Sequence, residues 1–159
     1  MELWDVLDRE GRKKGRTMVR GHDIRSDDYH LVVHIWVRNG KGEYLIQKRA
    51  DYLSLNPGIW AATGGSVVAG EESQIGALRE LEEEICLRLN PDELSRLMRF
   101  VEGNSIVDVW FAELDEGVLE QVRPGQEVSE VAFASKEQIK KMISTGEFYA
   151  YSYVDELED

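Results

Sequence analysis

The chain has one cysteine, Cys86, and only three histidines in 159 residues. A single cysteine excludes an internal disulfide and fits a reducing compartment. With so few histidines and cysteines there is no cluster for a soft metal ion. No apolar run approaches the length of a membrane-spanning helix, so no membrane partner is expected. The opening residues, Met1-Glu2-Leu3-Trp4-Asp5, lack the pattern of a signal peptide, and a cytoplasmic location is the expectation. Positive charge is also scarce: 19 Lys and Arg stand against 31 Asp and Glu, for a net charge of −12. That balance argues against a nucleic-acid polymer as partner, because phosphate backbones select basic surfaces. A small phosphorylated substrate stays compatible, since metal ions can offset its charge locally. Part of the acidity lies in the tail, Asp155-Glu156-Leu157-Glu158-Asp159, which reads as a solubilising terminus.

What is present suits one domain over residues 1–159 with a sizeable core, compatible with a homodimer. There are no repeats or low-complexity segments. Residues 2–8 and 16–20 read as an N-terminal hairpin within 1–25, joined by a polar turn at 9–15. The β-prone run 30–37 and the segment 43–50 flank a hairpin signal, Asn39-Gly40-Lys41-Gly42. Asn56-Pro57-Gly58 is a tight turn leading through Trp60 to a glycine loop at Gly64-Gly65. A helix is predicted over 73–85, a short helical or loop segment at 91–97, and strands at 105–114 and 127–134. Ser135 should cap a last helix over 136–145 that Gly146 ends.

The stretch 65–87 carries the chemistry. Gly65 is followed by Glu71 and then by Arg79-Glu80-Leu81-Glu82-Glu83-Glu84. At about 100° per residue, Ile75, Leu78, Leu81 and Ile85 form one stripe that should face the core. Glu80, Glu83 and Glu84 fall on the opposite side, with Gly76 among them leaving open space. Three clustered carboxylates repel one another, and a hard divalent cation, Mg²⁺ or Mn²⁺, relieves that repulsion. The paired glycines allow the backbone to approach a ligand closely. This is an arrangement for holding cations against a phosphate-bearing substrate.

These residues resemble the Nudix box, G-x5-E-x7-R-E-U-x-E-E-x-G-U with U a bulky aliphatic. Every fixed position matches except the last glycine, where Cys86 stands. The resemblance covers about residues 30–145 and implies an α/β (α+β) Nudix fold, a mixed β-sheet sandwiched between helices. It implies a hydrolase that attacks a diphosphate linkage with water, on a small diphosphate-containing substrate of nucleoside diphosphate type. The metal ligands it implies are the Gly64 carbonyl, Glu83 and Glu84, with Glu80 as a ligand or as the group that orients or deprotonates water. Arg79 would fix a carboxylate of the helix, and Glu71 would anchor the loop or reach a metal through water. A further acid from a distant loop would serve as ligand or base, with Glu127 preferred over Glu130 and Glu102. Arg49, Trp60 and Gly65 are candidate substrate contacts.

The missing glycine suggests that the helix exit differs, with Cys86 a buried structural thiol. His30 and His34 share a strand face and are read as structural. The N-terminal piece is similar to the opening of isopentenyl-diphosphate-isomerase-like members of the superfamily. That isomerase carries a catalytic cysteine just after its Pro-Gly-Ile-Trp stretch. Here Ala61-Ala62-Thr63-Gly64-Gly65 holds none, and hydrolysis is favoured over isomerisation. A non-catalytic ligand-sensing module on the same fold is the other alternative, disfavoured because no helix carboxylate is lost.

Overall fold

The β-prone run beginning at His30 forms a nine-residue strand, β3 (His30–Arg38), in a computed structural model that describes residues 1–159. It is preceded by an antiparallel pair, β1 (Leu3–Leu7) and β2 (Lys13–Val19). The Asp8 carboxylate closes their turn by accepting the backbone N–H groups of Glu10 and Arg12 at 3.0 and 2.9 Å. Asn39 does the same between β3 and β4 (Tyr44–Arg49), its Oδ1 accepting from the N–H groups of Lys41 and Glu43. Such local side-chain bonds explain why both turns were legible in the sequence.

Two short strands, β5 (Trp60–Ala61) and β6 (Thr63–Ser66), occupy the stretch expected to be a turn and a glycine loop. The helix α1 covers Ser73–Ile85, matching the expectation at both ends. A single helical turn at Pro91–Glu93 is followed by β7 (Ser95–Glu102), a strand where the sequence suggested only a helical or loop segment. Most of its residues are exposed, so it lacks the apolar alternation that marks a strand. Its register against β8 (Ser105–Glu113) makes it one. A short helix, α2 (Glu116–Leu119), precedes β9 (Val128–Ala134) and α3 (Lys136–Ser144). Ser135 caps α3 in a reciprocal capping box with Gln138.

Seven strands form one sheet with the path β5-β4-β3-β8-β7, and β6 pairs with β3 while β9 pairs with β4. This is the mixed α+β architecture expected. Contacts divide the chain into two compact units. The first comprises Met1–Ile35, Gly64–Glu80 and Leu89–Phe111, and the second Trp36–Thr63, Leu81–Arg88 and Ala112–Asp159. Strands β3 and β8 and helix α1 each run through both. No helix is long and apolar enough to cross a membrane.

The first unit is built on Val6, Val33, Ile35, Ala77, Ile106 and Val109, all buried. It also buries Asp108, whose carboxylate takes a two-pronged ion pair from Arg99 at 2.6 and 2.8 Å and a bond from the Ser73 hydroxyl at 2.6 Å. The second unit packs Trp36, Ile46, Leu81, Ile85, Leu87 and Ile139. Trp36 lies edge-on to Tyr44 and Tyr151 and donates its indole N–H to the Tyr153 hydroxyl at 2.8 Å.

His30 bears out its structural reading. Its ring stacks on Trp4 with centroids 4.0 Å apart. Burial, with the Arg20 charge adding to it, pushes His30 from 6.5 down to about 4. The unfolded chain therefore takes up a proton near 6.5 and the folded chain only near 4. The His30 contribution to stability is complete above pH 6.5 and is lost as pH falls toward 4. We expect His30→Phe to lose this pH dependence, so that the gap between wild-type and variant melting temperatures changes between pH 7 and 4.5. Parallel profiles would contradict the assignment.

Candidate active site

The glycine loop and α1 meet through an absence of side chain. A Cβ built at Gly65 would stand 2.4 Å from Oε1 of Glu80, so the carboxylate, as placed, fills the room that a side chain at position 65 would take. Glu80 is 8% exposed, far less than a glutamate on a solvated helix face would be. A Cβ at Gly64 would stand 2.8 Å from the carbonyl oxygen of Val33, so β6 lies against β3 at the distance a glycine permits. His34, beside Gly64, is pushed down to about 4 by burial and is a neutral imidazole at physiological pH. No cationic ring therefore stands there to oppose a metal ion.

Arg79 organises the loop. Its Nε and one terminal nitrogen donate to the two oxygens of Glu71 at 2.7 and 3.0 Å. It also donates to the Ser66 carbonyl and to Glu80, each at 3.2 Å. The bidentate fork thus grips Glu71, ahead of the helix, as well as the adjacent Glu80 on it. Glu71 in turn accepts the Val68 N–H at 3.1 Å, which is the loop-anchoring geometry expected of it.

Helix α1 continues into the second unit with Glu83 and Glu84. Residues three and four apart on a helix are surface neighbours, so both carboxylates follow Glu80 along one side. Glu83 is exposed and Glu84 half-buried. Glu84 accepts a hydrogen bond from the Gln47 amide at 2.6 Å. The helix C-terminus is held from outside: Gly125 N–H donates to the Glu84 carbonyl at 2.7 Å, and Arg123 N–H to the Ile85 carbonyl at 3.0 Å. Glu127 lies two residues beyond Gly125, exposed, with its carbonyl accepting the Ala50 N–H at 2.9 Å.

Three expectations need correction. Ile75, assigned to the core stripe, is 49% exposed, and the buried positions are Gly76, Ala77, Glu80, Leu81 and Ile85. The buried arc of the helix runs through Ala77, Leu81 and Ile85 and takes in Glu80, whose carboxylate lies against Gly65. Gly76 does not leave open space: a Cβ there would stand 2.9 Å from Val67, so the glycine serves close helix-to-loop packing. Cys86 is exposed, not buried, and holds φ at +57°. The helix exit therefore does not differ. Cysteine adopts the left-handed conformation a glycine would take, with its N–H donating to the Glu82 carbonyl at 3.1 Å.

That conformation costs a residue with a Cβ roughly 1–2 kcal/mol. Glycine loses more backbone freedom on folding, which offsets part of the gain. We expect Cys86→Gly to stabilise the protein by about 0.5–1 kcal/mol, read as a rise in melting temperature of about 1–4 °C. Native Cys86 should also react readily with a thiol reagent, whereas a thiol that labels only on unfolding would contradict its exposure.

Among the other candidates, Arg49, at the end of β4, directs its Nε to the Leu55 carbonyl at 3.0 Å, in the loop that follows. Trp60 is half-buried and fixed through its backbone to Glu147 and Tyr149. Glu130 lies 3.8 Å from Lys48 on the neighbouring strand. Glu102 ends β7 in the first unit. Of these three acids, Glu127 alone belongs to the segment bonded to the end of α1. Sequence reasoning missed Gln47, Thr63, Gly125 and Tyr151. The one signal was a glutamine closing the apolar run Tyr44-Leu45-Ile46.

The donor set fits a hard divalent cation. Every candidate ligand offers oxygen, and the Gly65 cradle receives a carboxylate that a Cβ would displace. As the side chains stand, no three His, Cys, Asp or Glu side chains close on a single point. The carboxylates form an array along α1.

Comparison with known proteins supports the same direction. The family model described as the NUDIX domain matches residues 28–154. An uncharacterised Nudix hydrolase of Listeria monocytogenes is 34% identical over 160 residues, covering 99% of this chain and 94% of its own length. A crystal structure from Deinococcus radiodurans superposes with a TM-score of 0.77 at 22% identity, covering 97% of this chain and 96% of that one. A MutT protein from Methanosarcina mazei reaches a TM-score of 0.61 at 27% identity, covering 80% of this chain and 88% of its own.

Proposed function

The chain belongs to the Nudix family, and from that premise we propose that it is a metal-dependent hydrolase of a small diphosphate of nucleoside diphosphate type. One observation carries the reading: Glu80, Glu83 and Glu84 share α1, with Glu80 seated against Gly65 and Glu84 held by Gln47. Glu80, Glu83, Glu84 and the Gly64 carbonyl would hold Mg²⁺ or Mn²⁺. Such an ion supplies charge neutralisation for the diphosphate and lowers the pKa of coordinated water.

The chain's own groups do the rest. The attacking water forms a bond to one phosphorus, and the bridging P–O bond breaks, leaving its electron pair on the departing phosphate. The water's proton passes to a carboxylate, with Glu127 the preferred acceptor because its segment is bonded to the end of α1. Arg79 acts through Glu71 and Glu80, holding the loop and the first carboxylate in place. Arg49, Trp60 and Gly65 are the candidate substrate contacts. The net charge of −12 favours a small substrate over a nucleic-acid polymer.

The test is formation of the two cleavage products, read by chromatography, from a panel of nucleoside diphosphates, triphosphates, nucleotide sugars and dinucleotides with Mg²⁺, Mn²⁺ or a chelator. Turnover on at least one member is expected, abolished by the chelator. A cation-dependent rise in melting temperature should accompany it, since an ion bound only by the folded state stabilises that state. No turnover on any member of the panel, or no response to either cation, would overturn the reading of a metal-dependent hydrolase.

A further inference from the structure

We propose that Gln47 is a positioning residue that sets the direction of the Glu84 carboxylate, an assignment that rests on reading Glu84 as a metal ligand. Gln47 sits in β4 and is 4% exposed. Its Nε2 donates to Oε1 of Glu84 at 2.6 Å, across 37 residues of sequence. Its Oε1 accepts from the hydroxyl of Thr63 at 2.8 Å, and Thr63 is also 4% exposed. A carboxylate can only accept, so the amide nitrogen must face Glu84. The carboxylate thus fixes the orientation of the amide, and the threonine hydroxyl, donating to its oxygen, holds the side chain in place from the other end. The result is a directed chain, Thr63 to Gln47 to Glu84.

The strand that carries it is paired on both sides. Gln47 pairs with Ala61 of β5 on one side and with Val131 of β9 on the other. Ala62, next to Thr63, donates its N–H to the hydroxyl of the buried Tyr151 at 3.1 Å. A strand needing only packing would place an apolar side chain at position 47, because a buried amide is costly unless its bonds are met. Here both ends of the amide are engaged, and the chain terminates on a half-exposed carboxylate of the candidate site. Groups that orient a ligating side chain act in this way, and losing one typically weakens metal affinity or activity by 10–100-fold.

The test uses the whole chain and Mn²⁺ alone as probe, with free Mn²⁺ read by electron paramagnetic resonance. Gln47→Met keeps the length without the amide, Thr63→Val removes the hydroxyl, and Thr63→Ser retains it. Gln47→Met and Thr63→Val should raise the Mn²⁺ dissociation constant about tenfold, while Thr63→Ser binds as wild type. In a Glu84→Gln background, removing Gln47 should add little further loss. Wild-type Mn²⁺ affinity in Gln47→Met, or a loss fully additive with Glu84→Gln, would overturn the assignment. Should Gln47→Met fail to fold, the contrast between Thr63→Val and Thr63→Ser decides, and equal affinity in those two overturns it. A wild-type protein that takes up no Mn²⁺ would overturn the hydrolase reading and this assignment with it. Mn²⁺ binding modulated as expected but without hydrolysis of any diphosphate would overturn the hydrolase reading alone.

Discussion

Glu84→Gln and Glu83→Gln are each expected to lower turnover on the best diphosphate by at least about a hundredfold, since even partners of ligating groups typically cost 10–100-fold. In free energy this is about 2.7 kcal/mol of lost transition-state stabilisation, at about 1.36 kcal/mol per tenfold. The amide keeps the shape of the carboxylate and removes its charge, so the loss measures electrostatics and not packing. Neither residue lies in a core: Glu83 is exposed and Glu84 half-buried. The melting temperature without metal should therefore hold or rise, because removing one of several clustered like charges relieves repulsion. The two variants should differ in one respect. At position 84 glutamine can still meet the Gln47 amide through its own carbonyl oxygen, so the bond survives in neutral form. Unchanged turnover in both variants, measured with saturating Mg²⁺, would end the metal-helix account.

Gly125→Ala is expected to destabilise the protein by about 2–3 kcal/mol, at the upper side of what overpacking costs. Glycine is required here by proximity, since its φ is not among the positive ones. A Cβ would stand 2.1 Å from the Glu83 carbonyl oxygen and 2.9 Å from that of Glu84. Both are backbone atoms of a helix and cannot swing aside as a side-chain tip can. The segment must retreat, and the N–H bond to the Glu84 carbonyl at 2.7 Å goes with it. For a chain of this size the cost corresponds to a fall of about 4–12 °C in melting temperature. Activity should drop beyond what the lost stability explains, measured well below the melting point, because Glu127 belongs to the displaced segment. A variant as stable and active as wild type would show that this contact is dispensable.

Much of this was legible in advance, for local reasons. The span of α1 follows from Ser73 to Ile85 without a proline and with one tolerated glycine, and the turns at residues 9–12 and 39–43 follow from Asp8 and Asn39 bonding their own backbone. The spacing of Arg79, Glu80, Glu83 and Glu84 is a property of one helix and survives folding unchanged. The roll of that helix was not legible. Periodicity gave a stripe through Ile75, but in the fold the buried arc runs through Ala77, Leu81 and Ile85 and takes in Glu80, whose carboxylate lies against Gly65. Strand β7 was missed because pairing with β8 creates it.

The sequence by itself determined the family, the carboxylate array and the oxygen chemistry of the candidate ligands, because residue type and helical spacing are local quantities. Only the tertiary structure decided which of those carboxylates are held. Glu80 is seated by a glycine 15 residues earlier, which is a matter of close approach. Glu84 is met by an amide 37 residues away, which depends on the register of β4 between β5 and β9. The last turn of α1 is gripped by Gly125, about 40 residues on. Such contacts arise when separate segments are brought together, and nothing in the local pattern of either partner specifies them.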